Sequence, residues 1–281
     1  GPMPDLFWIH FHGIDDAGHT YGPGAPEEQA AVAGVDAAVG ELLATMPSGT
    51  WIVIFADHGT EFWEHEFVEK KCNLYREILG VPLIFHGPAF LPRGRVVDGL
   101  AESAQVLPTI LDAAGVPPLP QAQAPSLLPR MLGRSDEPPA YTCAHTVHSH
   151  QRNRGPAQFN HFAIHSLRYT FLRAEIHCDP NKLHSDWKQR FQATLLRAGR
   201  DPGELARGTV IRELYDLRAD PGQHQSLLPG DRPRHGLMQR PPFPDEQDAV
   251  AVATDLETHL DTWTETTRHA AEQPPGAAQS T

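Results

Sequence analysis

The chain has 281 residues, 40% of them hydrophobic and 21% charged, enough for one large domain with an appendage and a real core. Its formal net charge of -12 argues against any role built on nonspecific nucleic-acid binding, while leaving an anionic small molecule open, since a bound metal inverts the local field. No apolar run reaches the roughly 20 residues that span a bilayer, no signal-peptide pattern is visible, and Cys72, Cys143 and Cys178 form neither a C-x-x-C pair nor a disulfide framework. These features predict a cytoplasmic protein without a membrane role, and Gly1-Pro2 ahead of Met3 reads as the remnant of a cleaved tag.

In chain order, Leu6-Phe-Trp-Ile-His-Phe-His12 reads as a short apolar strand, followed by a Gly- and Asp-rich loop. Pro26 then opens a helix whose apolar residues Val32, Val35, Val39, Leu42 and Leu43 follow at helical spacing up to Pro47. Trp51 to Ala56 is the next strand, Val81-Pro-Leu-Ile-Phe85 another, and Val106 to Ala114 a helix starting around Pro108. Strand, helix and strand in alternation predict an α/β fold with a partly parallel central sheet flanked by helices.

The character changes beyond this point. Residues 117–140, rich in Pro, Ala and Gln, read as a linker over the surface between a core at 4–116 and a C-terminal α+β subdomain at 141–272. In that subdomain, stretches starting at Phe162, Arg168 and Ile211 suggest a smaller antiparallel sheet, with a polar helical insertion from about Asp179 to Arg200. Ala249 to His269 patterns as a helix, and the tail 273–281 has the composition of a disordered segment.

Two strand ends carry the chemistry. The run Trp51-Ile-Val-Ile-Phe-Ala ends in Asp57-His58-Gly59, and the earlier run is followed by Asp15-Asp-Ala-Gly-His19, a D-x-x-x-H. Strand ends in open α/β sheets are where ligands collect. A carboxylate beside an imidazole suits Zn²⁺ or Mn²⁺ better than Ca²⁺, which prefers an all-oxygen cage. Asp16 is the register alternative to Asp15, and Glu61, Glu64 and Glu66 compete with His65.

The residues also resemble a known family. Ala56-Asp-His-Gly-Thr-Glu-Phe-Trp-Glu-His65, Leu74-Tyr-Arg-Glu-Ile-Leu-Gly-Val-Pro-Leu-Ile84, Pro108 to Gly115 and Glu213-Leu-Tyr-Asp-Leu-Arg-Ala-Asp-Pro-Gly222 are similar to the downstream half of sulfatase-like enzymes of the alkaline phosphatase superfamily. The loop Gly13 to Pro23 looks more like that of nucleotide pyrophosphatases and phosphotransferases of the same superfamily. The resemblance implies that Asp15, His19 and His65 share one metal and that Asp57 and His58 belong to a second. Lys71, four residues before Tyr75, matches the position of a substrate-anion lysine, although it also sits in the charge run Glu69-Lys-Lys71.

It further implies a metal-dependent hydrolase of a phosphate ester, diester or phosphonate, with Lys71 and His65 as catalytic groups. His58, where many sulfatases carry Asn, tilts the expectation away from sulfate. The family's upstream strand and its Ser, Thr or formylglycine nucleophile have no counterpart before Leu6. An activated water or a nucleophile from a partner chain could replace it. The alternatives are therefore a half-enzyme or non-catalytic subunit whose partner covers an exposed sheet edge, or a metalloenzyme repurposed for specialised metabolism. Cys72-Asn-Leu-Tyr-Arg76 and Cys178-Asp-Pro-Asn-Lys182 only partly match a formylglycine motif, and Cys143-Ala-His-Thr-Val-His-Ser-His150 reads as a surface or substrate-facing loop, with a His145/His148 metal patch as its alternative.

Overall fold

The computed structural model describes residues 5–65, 73–135, 137–149, 157–183, 185–197, 200–228 and 246–272. Two compact units divide the chain: residues 1–53 with 85–91, and residues 54–84 with 92–281.

The first unit holds α1 (Gly13–Tyr21) and α2 (Pro26–Thr45). Residues 6–12 form no strand. Their apolar character suits a sheet interior, yet Leu6, Phe7 and Trp8 are 74%, 62% and 68% exposed, and an apolar pattern becomes a strand only where the surrounding packing favours it. The expected loop at 13–23 is mostly helix. Asp15 and Asp16 sit in its first turn and His19 in its last, matching the helix dipole, and the i,i+4 spacing of D-x-x-x-H is itself helical. Gly22, at φ 88°, ends the helix where a side chain would be strained. In α2, Pro26 occupies the first turn, Glu27 and Glu28 lie beside it, and the Glu28 carboxylate accepts from the Gly24 N–H. Among the described residues of this unit only Ala17, Glu28 and Leu91 are buried.

β1 (Ile52–Phe55) and β2 (Leu83–His86) form a two-stranded sheet. β2 begins after Pro82, which has no N–H to give a ladder. The short α3 (Arg76–Leu79) precedes it. α4 (Val106–Ala113) follows a turn in which Glu102 and Gln105 cap one another reciprocally. The Pro-rich stretch beyond contains α5 (Leu128–Met131), anchored by the buried Arg130, which donates to the carbonyls of Leu100 and Asp98 at 2.8 and 2.7 Å.

The second unit is built on a four-stranded antiparallel sheet in the order β3 (Thr142–Ser149), β4 (Ala157–His165), β5 (Tyr169–Ile176), β6 (Val210–Asp216). The His-rich stretch read as a loop is thus an edge strand. Its alternation of Thr142, Ala144 and Thr146 with Cys143, His145 and Val147 is the two-residue period of a sheet, hidden by the histidines. On one face Phe162, Ile164, Phe171 and Leu214 pack against Ala249, Ala253, Leu256 and Leu260 of α7 (Glu246–Glu272). On the other, Phe159, Ala174, Ile176 and Ile211 pack against Trp187, Phe191 and Leu195 of α6 (Ser185–Arg197), the expected helical insertion. Ala163, Leu172 and Tyr215 complete that face against Leu74 and Tyr75. The fold is α/β with a smaller C-terminal antiparallel sheet and helix, as the sequence indicates. Among the described residues no helix is long and apolar enough to cross a membrane.

Candidate functional site

Helical spacing puts Asp15 and His19 on the same side of α1, with Asp15 Oδ1 3.6 Å from His19 Nε2. Asp15, not Asp16, is the carboxylate facing the imidazole, and both side chains remain open to solvent. A carboxylate and a ring nitrogen at this separation can close on one ion as two of its ligands.

The second pair follows β1. Asp57 Oδ1 accepts the His58 N–H at 3.1 Å, and Asp57 Oδ2 lies 3.6 Å from His58 Nε2. His58 Nδ1 is 2.9 Å from the Gly59 carbonyl oxygen, an acceptor only, which assigns the proton to Nδ1 and leaves the Nε2 lone pair for a metal or acidic proton. Gly59 itself is pinned against α3: its N–H donates to the Ile78 carbonyl at 2.7 Å. A Cβ there would lie 2.0 Å from the Glu77 carbonyl oxygen, so only glycine permits this approach.

The loop continues into a buried polar seam. Glu61 is 0% exposed; its Oε2 accepts from Arg190 of α6 at 2.6 Å and from Asn73, while Oε1 accepts the His65 N–H at 3.0 Å. The His65 ring stacks on Tyr75 with centroids 3.8 Å apart and lies 5.3 Å from the ring of His224. His65 Nε2 is 3.3 Å from Glu77 Oε2. Burial alone would raise the Glu77 carboxyl, but the His65 hydrogen bond, its own backbone, and the charges of His65 and His224 hold it below its ordinary value. Tyr75 and Tyr215 both donate to the buried Glu213 carboxylate. Two non-glycine residues with left-handed backbone bracket this seam, Trp63 at φ 71° and Gln223 at φ 56°. Strain of this kind persists only where the surroundings over-determine it, and it concentrates at functional sites.

Asp15 and His19 thus come together in the first unit, Asp57 and His58 in the second, and His65 sits with Glu77, Tyr75 and His224. Lys71, Cys72 and His150 lie outside the described residues. Among the described residues no group of three or more His, Cys, Asp or Glu converges as a metal cage. The donor chemistry of the two pairs still fits a divalent transition ion, as partial ligand sets with the His58 tautomer already fixed. Sequence reasoning missed Glu77, His224 and Arg190, and treated Glu61 only as a competitor of His65. The signal for Glu61 was its position three residues after His58; nothing local marked Arg190, 129 residues away.

The remaining sequence candidates are structural. Burial, then the charge of Glu102, pushes the Cys143 thiol up to about 12, and burial followed by Asp179 raises that of Cys178, so neither is an activated nucleophile. His145 stacks on Phe162 and His148 on Phe159, which makes them part of the packing around the sheet. Burial also lowers the His145 pKa.

Strand β1 ending in a carboxylate–imidazole pair, and a separate four-stranded antiparallel sheet packed against a long helix, define an α/β class of protein. Residues 2–77 match the sequence profile of the family described as type I phosphodiesterase / nucleotide pyrophosphatase. Over 207 residues the chain is 35% identical to the Δ4,5-hexuronate-2-O-sulfatase of Bacteroides thetaiotaomicron, covering 69% of this chain and 34% of that enzyme. Among solved structures, a protein in complex with its substrate D-glucosamine-2-N,6-O-disulfate matches with a TM-score of 0.57 at 18% identity, covering 90% of this chain and 42% of the other. A phosphonate monoester hydrolase from Silicibacter pomeroyi matches with a TM-score of 0.52 at 18% identity, covering 87% and 39%. The chain belongs to the alkaline phosphatase superfamily and has a sulfatase-like fold. It spans about a third of the length of the curated sulfatase it matches over most of its residues.

Proposed function

We propose that this chain carries metal-binding residues of a hydrolase acting on an anionic ester of a sugar, with a sulfate ester the leading substrate. The observation that carries the reading is the Asp57-His58 pair after β1, with His58 Nδ1 committed to the Gly59 carbonyl and Nε2 left for a ligand. Asp57 and His58 would hold one divalent ion and Asp15 and His19 would contribute to another. A divalent ion so held would supply positive charge to the ester oxygens and lower the pKa of water. The chain's own contribution is orientation: Gly59 fixes the pair against α3, while the Glu61–Arg190 bond fixes the loop that follows.

The sulfate reading is supported by the curated relative that acts on a hexuronate sulfate and by the solved neighbour with a glucosamine disulfate, and it revises the tilt towards phosphate drawn from His58. A phosphate diester or phosphonate is the second reading, supported by the phosphodiesterase profile and the phosphonate hydrolase neighbour. Lys71 and His65 remain candidates for contact with the ester anion. The exposed run from Leu6 to Phe11 is, we infer, a surface covered by further polypeptide, in the same chain or in another.

The test is hydrolysis of glucosamine-2-N,6-O-disulfate, p-nitrophenyl sulfate, bis-p-nitrophenyl phosphate and phenyl phosphonate esters with Zn²⁺ or Mn²⁺ added. Turnover that prefers the sulfated sugar and disappears in Asp57→Ala and His19→Ala supports the reading. Absence of metal-dependent turnover on every ester overturns it.

A further inference from the structure

The loop between His58 and His65 presents an aromatic side chain in an unusual way. Trp63 has φ 71°, a left-handed conformation that costs a bulky residue about 1 kcal/mol or more, and the residue is nevertheless 64% exposed. Phe62, beside it, is also exposed. The strain is not relieved by burying the indole. Fixed points on either side impose it: Glu61 is locked by Arg190, Asn73 and the His65 N–H, and His65 is clamped between Tyr75 and Glu77. The Phe62 N–H is held by the Glu64 carboxylate. A tryptophan whose backbone is held at a cost and which stays open to solvent, six residues after Asp57 in the loop that follows the candidate metal pair, offers a flat apolar surface to a ligand.

We propose that Trp63 is the stacking platform for the pyranose ring of the sugar ester, a substrate-positioning residue separate from the groups that meet the anion. The proposal rests on the hydrolase reading above and gives it a second contact. One face of a pyranose presents axial C–H bonds that complement the electron-rich face of an indole, while the ring hydroxyls stay at the rim in water. Stacking fixes the ring's plane and leaves the charged ester free to reach the Asp57-His58 end of the loop. The anchored loop keeps the backbone-ordering cost of presenting the indole low, because Glu61 and His65 are already fixed on either side.

The experiment is calorimetric titration of the full chain, with Zn²⁺ or Mn²⁺ present, using glucosamine-2-N,6-O-disulfate, uncharged N-acetylglucosamine, inorganic sulfate and adenosine 5′-monophosphate. Trp63→Ala and Trp63→Gly should each weaken the sugar disulfate about tenfold while leaving inorganic sulfate unchanged, and Trp63→Phe should retain most of the affinity. Trp63→Gly also removes the backbone strain, so its melting temperature should equal or exceed the parent's, which separates stacking from a folding role. Equal weakening of sugar and sulfate, no change in either, or a larger loss for the adenosine nucleotide than for the sugar overturns the proposal. Sulfate binding that survives without Trp63-dependent sugar binding would remove the platform and keep the hydrolase. Trp63-dependent binding of N-acetylglucosamine without any sulfate binding would do the reverse.

Discussion

The sheet β3–β6 is covered on both faces, by α7 on one side and by α6 with Leu74 and Tyr75 on the other, and its interior holds Phe159, Phe171, Ile164, Leu172 and Leu214 essentially without solvent. The first unit has helices of comparable length and an even more apolar sequence at 6–11, yet among its described residues only three are buried. Hydrophobicity alone therefore does not make a core. An apolar segment stabilises a fold only through the partner that removes it from water, and local pattern does not say whether that partner is present. Both units carry a carboxylate–imidazole pair, but Asp57-His58 leads into a deeply anchored loop, whereas Asp15-His19 depends on one nine-residue helix.

The contrast can be broken most directly at the buried ion pair. Arg190→Ala should cost about 3–5 kcal/mol in urea unfolding, because it strands the Glu61 carboxylate without water. The double variant Arg190→Met with Glu61→Leu should recover part of that loss. A cost under about 1 kcal/mol would show that the seam does not anchor the loop. Leu214→Ala, which opens a cavity between the sheet and α7, should cost about 3 kcal/mol in the same measurement.

The pH dependence of stability sharpens the same comparison. Burial pushes the His165 imidazole down to about 4, and its Nε2 lacks a hydrogen-bond partner among the described residues while Nδ1 meets the Thr170 hydroxyl at 2.8 Å. The unfolded chain takes up a proton near 6.5 that the fold refuses until about 4, so stability is whole above 6.5 and falls as pH drops through that window. The loss should reach up to about 3 kcal/mol at its lower end. His165→Gln should flatten melting temperature against pH between those limits; an unchanged slope would remove His165 as the cause.

The smallest effect belongs to the first unit. Leu6→Ser and Phe7→Ser should each change stability by less than about 0.5 kcal/mol in the isolated chain. Amide hydrogen exchange should find α1 and α2 exchanging well before β4 and β5. Protection of α1 equal to that of β4 would mean that the first unit is as well packed as the second.

The difference between the units also explains what could be read from the sequence. β1, α4, β4, β5, β6 and α7 all follow periodicity or breakers that act within a few residues, so they were legible within short shifts of their ends. The strand expected at 6–12 was not formed because strand pairing is a property of the neighbour as well as of the segment. α1 was mistaken for a loop because Gly and Asp signal turns, although the same Asp15 and His19 obey helical spacing. β3 was obscured by its histidines, whose rings turn out to lie on Phe159 and Phe162. At the candidate site, Asp57 and His58 were visible as a strand end and Asp15 and His19 as a spaced pair. The clamp of Glu61 by Arg190, and the company of His65 with Glu77 and His224, depend on long-range contacts that no local motif encodes.

The most direct test of the central claim, that Asp57 and His58 form a metal-binding strand end, is metal content by mass spectrometry. The folded chain should be dialysed with Zn²⁺ or Mn²⁺ and compared with Asp57→Ala and His58→Ala. The account predicts a bound transition metal that both substitutions reduce without a change in melting temperature of the metal-free proteins. Equal metal content in the parent and both variants would contradict it.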